Sequence, residues 1–402
     1  MTRWILTTAA CLLSGAALAD APLLRGNLEL EVRQFAHDAL APLDPAAERP
    51  ANTHPSAALE LELYADGDGG NDAFTLTPFG RWDQRDSERR HVDLREANWL
   101  HLGDGWQTRV GVGKVFWGAT ESQHLVDIVN QTDTLEGVDG EDKLGQPMVN
   151  LVWLLGNGEL SLFWLPYFRE REFAGADGRP RPQPRIDGGQ SRYQSSDERR
   201  HQDFALRWAL SFASVDLALS HFHGTSREPQ LALGSDAGGA PVLVPFYPQI
   251  DQSGLELTAA LGDWLWKAEA IRREGFGSTY HAAVGGFEYS LVGIADSVLD
   301  LGLLLEYHWD ERQRLASSPF QNDTFAGLRL TLNDFQSTEL LAGVIYDHDS
   351  AARLGFIEAS RRLGERVKLS GELRLFEHQP SDDPLYTLRN DDMLQLNLAY
   401  YF

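Results

Sequence analysis

The chain has 402 residues, 43% of them hydrophobic, with a formal net charge of −24 and one cysteine, Cys11. A surface this acidic argues against nucleic acid as a partner. Beyond the N-terminal segment no run of about 18 apolar residues is present to cross a bilayer as a helix, and the hydrophobic content is spread along the chain as alternation.

Met1-Thr2-Arg3 is a short positive region, Trp4 to Leu13 an apolar stretch of signal length, and Ala17-Leu18-Ala19 a small-residue cleavage site. Residues 1–19 are therefore expected to be a signal peptide, and 20–402 a single exported domain. Cys11 falls inside the signal, so the mature domain has no disulfide to hold it. A closed, hydrogen-bonded β-barrel supplies that cohesion from the backbone alone.

Apolar/polar alternating runs recur to the end of the chain, separated by Gly, Asp, Asn and Pro clusters. They predict strands near 24–35, 56–65, 73–83, 90–102, 105–117, 147–156, 159–169, 201–212 and 214–224. In the second half they predict 252–262, 264–274, 279–291, 298–309, 323–333, 337–347, 353–363, 366–378 and 391–402. That is about 18 strands (16–18), an all-β transmembrane barrel of antiparallel up-and-down order. In the last of them Leu394, Leu396, Leu398, Tyr400 and Phe402 share one face, and Gln395, Asn397 and Ala399 the other. This ending resembles the closing strand of Gram-negative outer-membrane barrels, whose terminal aromatic is read by the insertion machinery.

Connector lengths sort by side. One set is short, such as Gly103-Asp104-Gly105, Gly156-Asn157-Gly158 and Gly262-Asp263. The other includes the long segments 36–55, 118–146, 170–200, 225–251 and 379–390, as expected for periplasmic turns and outer loops. Parity assigns faces: Phe204, Leu206, Trp208, Leu210 and Phe212 oppose Arg207, which must point into the lumen because an Arg facing mid-bilayer lipid costs roughly 2–4 kcal/mol. Arg329, Arg374, Glu256, Lys267, Glu269, Glu288, Glu306, Lys368 and Glu372 turn inward by the same rule. Trp82, Trp99, Trp106, Trp153, Trp164, Trp264, Trp266, Trp309 and Tyr400 lie near strand ends, where interfacial girdles form.

The third outer connection, 118–146, carries Glu121, Asp127, Asp133, Glu136, Asp139, Glu141 and Asp142 against Lys143 alone. Thr120-Glu121-Ser122-Gln123 reads as a capping box before an apolar stripe of Leu125, Ile128 and Val129, which predicts a short amphipathic helix near 121–130. Ahead of it, Arg81, Arg95 and Arg109 lie on three consecutive strands. Arg95 is followed by Glu96, so either one of the pair faces away from the lumen or a β-bulge intervenes, which breaks the regular ladder at its middle position. An acidic third loop opposite basic wall residues resembles the general porins. Arg109 to Gly118 followed by Asp127-Ile128-Val129-Asn130 is similar to a strand-to-loop segment of a family of uncharacterised proteobacterial porin-like proteins. The resemblance implies that 118–146 folds into the lumen and sets its acids across a narrow aqueous gap from a basic wall of Arg81, Arg95, Arg109, Arg207, Arg329 and Arg374. Such opposed charges create a transverse field that sorts solutes.

Other constellations carry less. Asp66-Gly67-Asp68-Gly69-Gly70-Asn71-Asp72 has the composition of a calcium loop, but Gly70 stands at the third ligand position and no Glu follows at the twelfth, so it reads as a turn. His221 and His223 share a strand face with no third metal ligand evident, and Ser220-His221-Phe222-His223 lacks the His-x-Ser pairing of barrel phospholipases. Loop 169–200 holds Arg169, Arg171, Arg179, Arg181, Arg185, Arg192, Arg199 and Arg200 against six acids, and could meet anionic solutes or lipopolysaccharide phosphates. The expected function is an outer-membrane channel for small hydrophilic solutes, not an enzyme, with lipid and lipopolysaccharide as surroundings and no cofactor or metal. A plugged structural or adhesion barrel, or a barrel hydrolase, is the alternative, and the oligomeric state is open.

Overall fold

The computed structural model describes residues 21–43, 48–67 and 69–402. The expected signal segment 1–19 lies outside them, as does Asp68 of the calcium-like turn. The chain runs through β1 (Leu23–Phe35), β2 (Thr53–Asp66), β3 (Asp72–Asp83), β4 (His91–Gly103), β5 (Trp106–Gly113), β6 (Gln146–Leu155) and β7 (Gly158–Leu165). After the two-residue β8 (Arg192–Tyr193) come β9 (Asp203–Phe212) and β10 (Val215–Thr225), then the loop hairpin β11 (Gln230–Ser235) and β12 (Pro241–Tyr247). The wall resumes with β13 (Gln249–Leu261), β14 (Trp264–Glu274), β15 (Tyr280–Leu291), β16 (Asp300–Asp310), β17 (Asn322–Thr331), β18 (Glu339–Asp347), β19 (Arg353–Leu363), β20 (Val367–Glu377) and β21 (Met393–Tyr401).

Eighteen of these strands form one closed antiparallel sheet, and β8, β11 and β12 form a small sheet in the long loops. Each predicted strand is present, ends differing by a few residues. Closure is made by β1 against β21, from Asn27 opposite Tyr401 to Phe35 opposite Met393. Phe402 completes it, exchanging backbone hydrogen bonds of 3.1 Å in both directions with Gly26. No helix of the described residues is long and apolar enough to cross a membrane; the chain crosses with strands, as a transmembrane up-and-down barrel.

Alternation decides which side chains meet lipid. In β9 Phe204, Leu206 and Trp208 are exposed on the outside while Asp203 and Ala205 are buried inside, and Arg207 bonds to lumen-facing Glu256 with both nitrogens, at 2.9 and 2.8 Å. In β21 Leu394, Leu396, Leu398 and Tyr400 are exposed, and Met393 and Ala399 are buried on the inner face. One wall irregularity bears on the site. The β3–β4 register shifts between Thr77, opposite Glu96, and Pro78, opposite Leu94, which leaves Arg95 unpaired as the bulge residue. Proline lacks the N–H that a regular ladder would use there. Arg95 is thereby turned inward beside Glu96.

A candidate lumen constriction

The wall strand β5 ends at Gly113, four residues before its predicted end at Trp117. The side chain of Asn130 causes the departure. Its Nδ2 donates to the carbonyls of Gly113 (2.9 Å) and Leu144 (2.8 Å), while its Oδ1 accepts from the Val115 N–H (2.9 Å). One buried amide thus ties the descending leg of the segment to its returning leg. Lys143 pairs with Asp127 at 3.0 Å, and an isolated bridge joins Thr132 to Lys143. Between those bridge residues the tip 133–142 projects as a hairpin-like turn.

The predicted helix over 121–130 does not form; these residues are turns and bends. The helix would have satisfied its first N–H groups through its own cap, but two carboxylates of the wall take them instead. Glu269 of β14 accepts from the N–H groups of Ala119 (2.7 Å), Thr120 (3.0 Å) and Val126 (3.2 Å). Glu306 of β16 accepts from those of Glu121 (2.7 Å) and Ser122 (2.9 Å). Thr120 Oγ1 lies 2.6 Å from the Gln123 carbonyl and 2.7 Å from Glu269, both acceptors, and the Gln123 side chain donates to Ser318, so neither bond of the capping box is made. The apolar residues do find a surface: Val126, Ile128 and Val129 are buried against Met148, Phe163, Phe222 and Ile271 of the inner wall.

Six of the seven acids of this segment meet a cation directly. Asp133 bonds to Arg95 at 2.5 Å and Glu136 to Arg81 at 2.7 Å. Asp139 bonds to Arg374 at 2.9 Å, and Glu121 to Arg329 at 2.6 Å with Lys267 at 3.5 Å. Glu141 meets His124 at 2.8 Å, and Asp127 meets Lys143 as above. The expectation of acids facing a basic wall across an aqueous gap is corrected here: loop and wall charges are in contact. Arg109 and Arg207 take no part. Arg109 faces the lumen but lies against Gly113, with no ion pair to the segment among the described residues, and Arg207 is held by Glu256.

Sequence reasoning missed the seat of the tip. Arg33 of β1, buried, donates to the carbonyl of Glu136 at 2.5 Å, and Arg89 of the β3–β4 loop donates to that of Leu135 at 2.6 Å. Both also bind Glu31, at 3.1 and 2.7 Å, and Arg89 binds Asp83 at 3.0 Å. Arg33 was legible, since Leu28, Leu30 and Val32 take the opposite face. Arg89 sits in a run of charged loop residues with no periodicity to single it out.

The loop charges are perturbed by this packing. Burial opposes charging of His124, but the hydrogen bond to Glu141 and the nearby carboxylate of Glu269, 3.8 Å away, raise it to about 10, so it is a cation at neutral pH. Asp142, buried beside Asp139, Glu136 and Asp133, is pushed up to about 7. Glu136 is held below the usual range: burial would raise it, but the charges of Arg81 and Arg89 prevail. His91, Asp133 and Glu136 place possible ligand atoms within 4.8 Å of one another. Two of those groups are already bound by Arg95 and Arg81, so the donor set does not suit a cation.

The space left open lies between the two legs of the segment, at 121–124 and 138–141, and the inner face of β18–β20. It belongs to a cavity of about 490 Å³ that widens among the long loops. Elsewhere the sequence candidates lie apart. His221 and His223 flank inward-facing Phe222 and point out of the barrel, His221 3.1 Å from Ser253 Oγ and His223 2.9 Å from Asp251. The backbone N–H groups of those strands are committed to the ladder, so the described residues place no oxyanion donor beside Ser253. In the Arg-rich loop, Arg179 and Arg185 pair with Asp391 and Asp236 of other loops, Arg169 with Asp93 of the wall, and Arg199 with Glu170 of the same loop.

No family model and no curated protein matches the chain. Among solved structures it is similar to engineered variants of the Rhodopseudomonas blastica porin, at 12–13% identity and TM-scores of 0.44–0.46, covering 95% of this chain and 100% of theirs. It is also similar to OmpT, an outer membrane protein of Vibrio cholerae in its trimer form, at 9% identity and a TM-score of 0.46 with the same coverage. At such values the function has to be read from the lumen itself.

Proposed function

We propose that the protein is a porin-like channel of a Gram-negative outer membrane, exported through a cleaved signal at 1–19, that passes small solutes through a constriction set by 118–146. The observation that carries this reading is the spread of the segment's anchors. They fall on β1, β3, β4, β14, β16, β17 and β20, all around the barrel, which supports a segment that lies across the lumen and narrows it. An apolar outer wall, short turns at one end and long loops at the other support the membrane setting and orientation.

The test is conductance of the purified protein in a planar bilayer, with wild type beside a variant in which 133–142 is replaced by two glycines. Because Thr132 and Lys143 already lie side by side, the deletion removes the tip without pulling on the legs. Discrete steps in the wild type and larger ones in the variant are expected. A barrel that inserts and stays silent in both forms would sink the reading in favour of a plugged structural barrel.

A further inference from the structure

The open part of the constriction has two unlike sides. On the wall side, an aqueous lumen would be expected to present polar residues, yet the inner faces of β18, β19 and β20 bring Leu341, Leu354, Phe356 and Phe376 to the cavity. Phe356 stacks on Phe325 with ring centroids 5.8 Å apart and planes 11° from parallel. The two rings lie flat over inward-facing glycines: a Cβ on Gly343 would sit 2.3 Å from the Phe325 ring and 2.9 Å from that of Phe356. Glycine is needed there because the ring occupies the place of a side chain. The result is a smooth apolar wall in a water-filled passage.

The charge presented beside that wall is mainly negative, although the ion pairs balance. Glu358, two residues from Phe356 on the same face of β19, is 43% exposed, while its partner Arg374 is 8% exposed. Glu141 is 53% exposed over a His124 that is 14% exposed, and Asp139 is 27% exposed. Arg329, 36% exposed against 20% for Glu121, and Lys143, 11% against 1% for Asp127, run the other way. Farther out, Arg227, Arg273 and Arg312 line the cavity but are each held by a carboxylate and are 4%, 8% and 14% exposed. The most exposed charges beside the apolar wall are the carboxylates of Glu141 and Glu358.

Resting on the channel reading above, we infer that the passage prefers small organic cations with a flat apolar face, such as aromatic amines. The ring lies along Leu354 and Phe356, and the ammonium group meets Glu358 with Asp139 and Glu141 opposite. Anions lack an unpaired cation at this level, and small hydrophilic cations gain nothing from the apolar wall.

The experiment is block of the potassium current through single channels of the full-length protein by benzylammonium, methylammonium and benzoate. Benzylammonium is expected to interrupt the current at concentrations roughly tenfold below methylammonium, the ratio expected from burying roughly 55 Å² of ring surface, and likewise below benzoate, which carries the same ring with the opposite charge. Leu354→Ser and the near-isosteric Glu358→Gln are each expected to raise its half-blocking concentration roughly 3- to 10-fold, with a discrete conductance step showing that each variant is folded. An open channel on which benzoate or methylammonium acts as strongly as benzylammonium, or in which neither substitution shifts the block, overturns the inference and leaves the channel reading intact. A silent barrel overturns the channel reading itself.

Discussion

Glu269 is the residue whose replacement tests the anchoring of the segment most directly. Its carboxylate accepts three backbone N–H groups at 2.7–3.2 Å and shares the hydroxyl of Thr120. In Glu269→Ala those donors turn to lumen water, and each native bond removed costs about 1 kcal/mol net, or about 3 kcal/mol for the three N–H groups. Local opening of 119–126 should then rise on the order of a hundredfold. Amide hydrogen exchange, followed peptide by peptide, reads this without assuming any transport activity. The wall should hold its protection, because the segment keeps its contacts to Glu306, Arg329 and Arg95. Bilayer recordings should show added current fluctuation. If the 119–126 amides exchange as slowly as in the wild type, the wall carboxylate is not what orders the segment, and the account given for the missing helix fails.

Other perturbations probe separate contacts. Arg89→Met removes a buried guanidinium from Glu31, Asp83 and the Leu135 carbonyl; a loss of about 3 kcal/mol is expected in urea unfolding, at the low end for a broken buried pair because Arg33 and Arg81 still face Glu31. Gly118 has φ +144°, and an added Cβ would lie 2.8 Å from His124 Nδ1 and 3.1 Å from Glu269 Oε1. Gly118→Ala should therefore cost about 1–3 kcal/mol and speed exchange at 119–126, whereas Gly140→Ala, equally positive in φ but with open space around it, should leave 119–126 unchanged. The folded-state value of Asp142, about 7, is above that of an unfolded Asp, so its contribution is full at low pH and is lost as pH rises through about 7. Exchange of the tip 133–142 should quicken between about pH 4 and 7 in excess of the intrinsic base-catalysed rise and show no further excess above that, and Asp142→Asn should abolish that excess.

The barrel was legible because lipid enforces a period of two on every strand. In β9 and β21 a shift by one residue would send Arg207 or Asn397 into hydrocarbon, so local sequence alone fixes the inner face. An irregularity at Arg95 was legible for the same reason, since Arg95 and Glu96 cannot both face inward in a regular strand, but only the register of β3 on β4 decides for a bulge over an outward-facing residue. The acidic segment could be found but its conformation could not. Thr120 and Gln123 are a local signal for a helix cap, whereas the groups that overrule it, Glu269 and Glu306, stand 149 and 185 residues away from the N–H groups they bind. The same distance in sequence hid the pairing of acids with the wall: charge counts identify both partners but not whether water separates them.

The anchors of 118–146 also constrain the order of events during assembly. The segment has no helix or ladder of its own to fold by, and its bonds reach β1 at one end of the chain and β20 near the other. Such contacts need wall strands from both ends of the chain to stand in place before the segment can meet them, so they form late. A barrel on its way to the native state therefore closes its seam as a wide tube, and the narrowing arrives afterwards as a separate step.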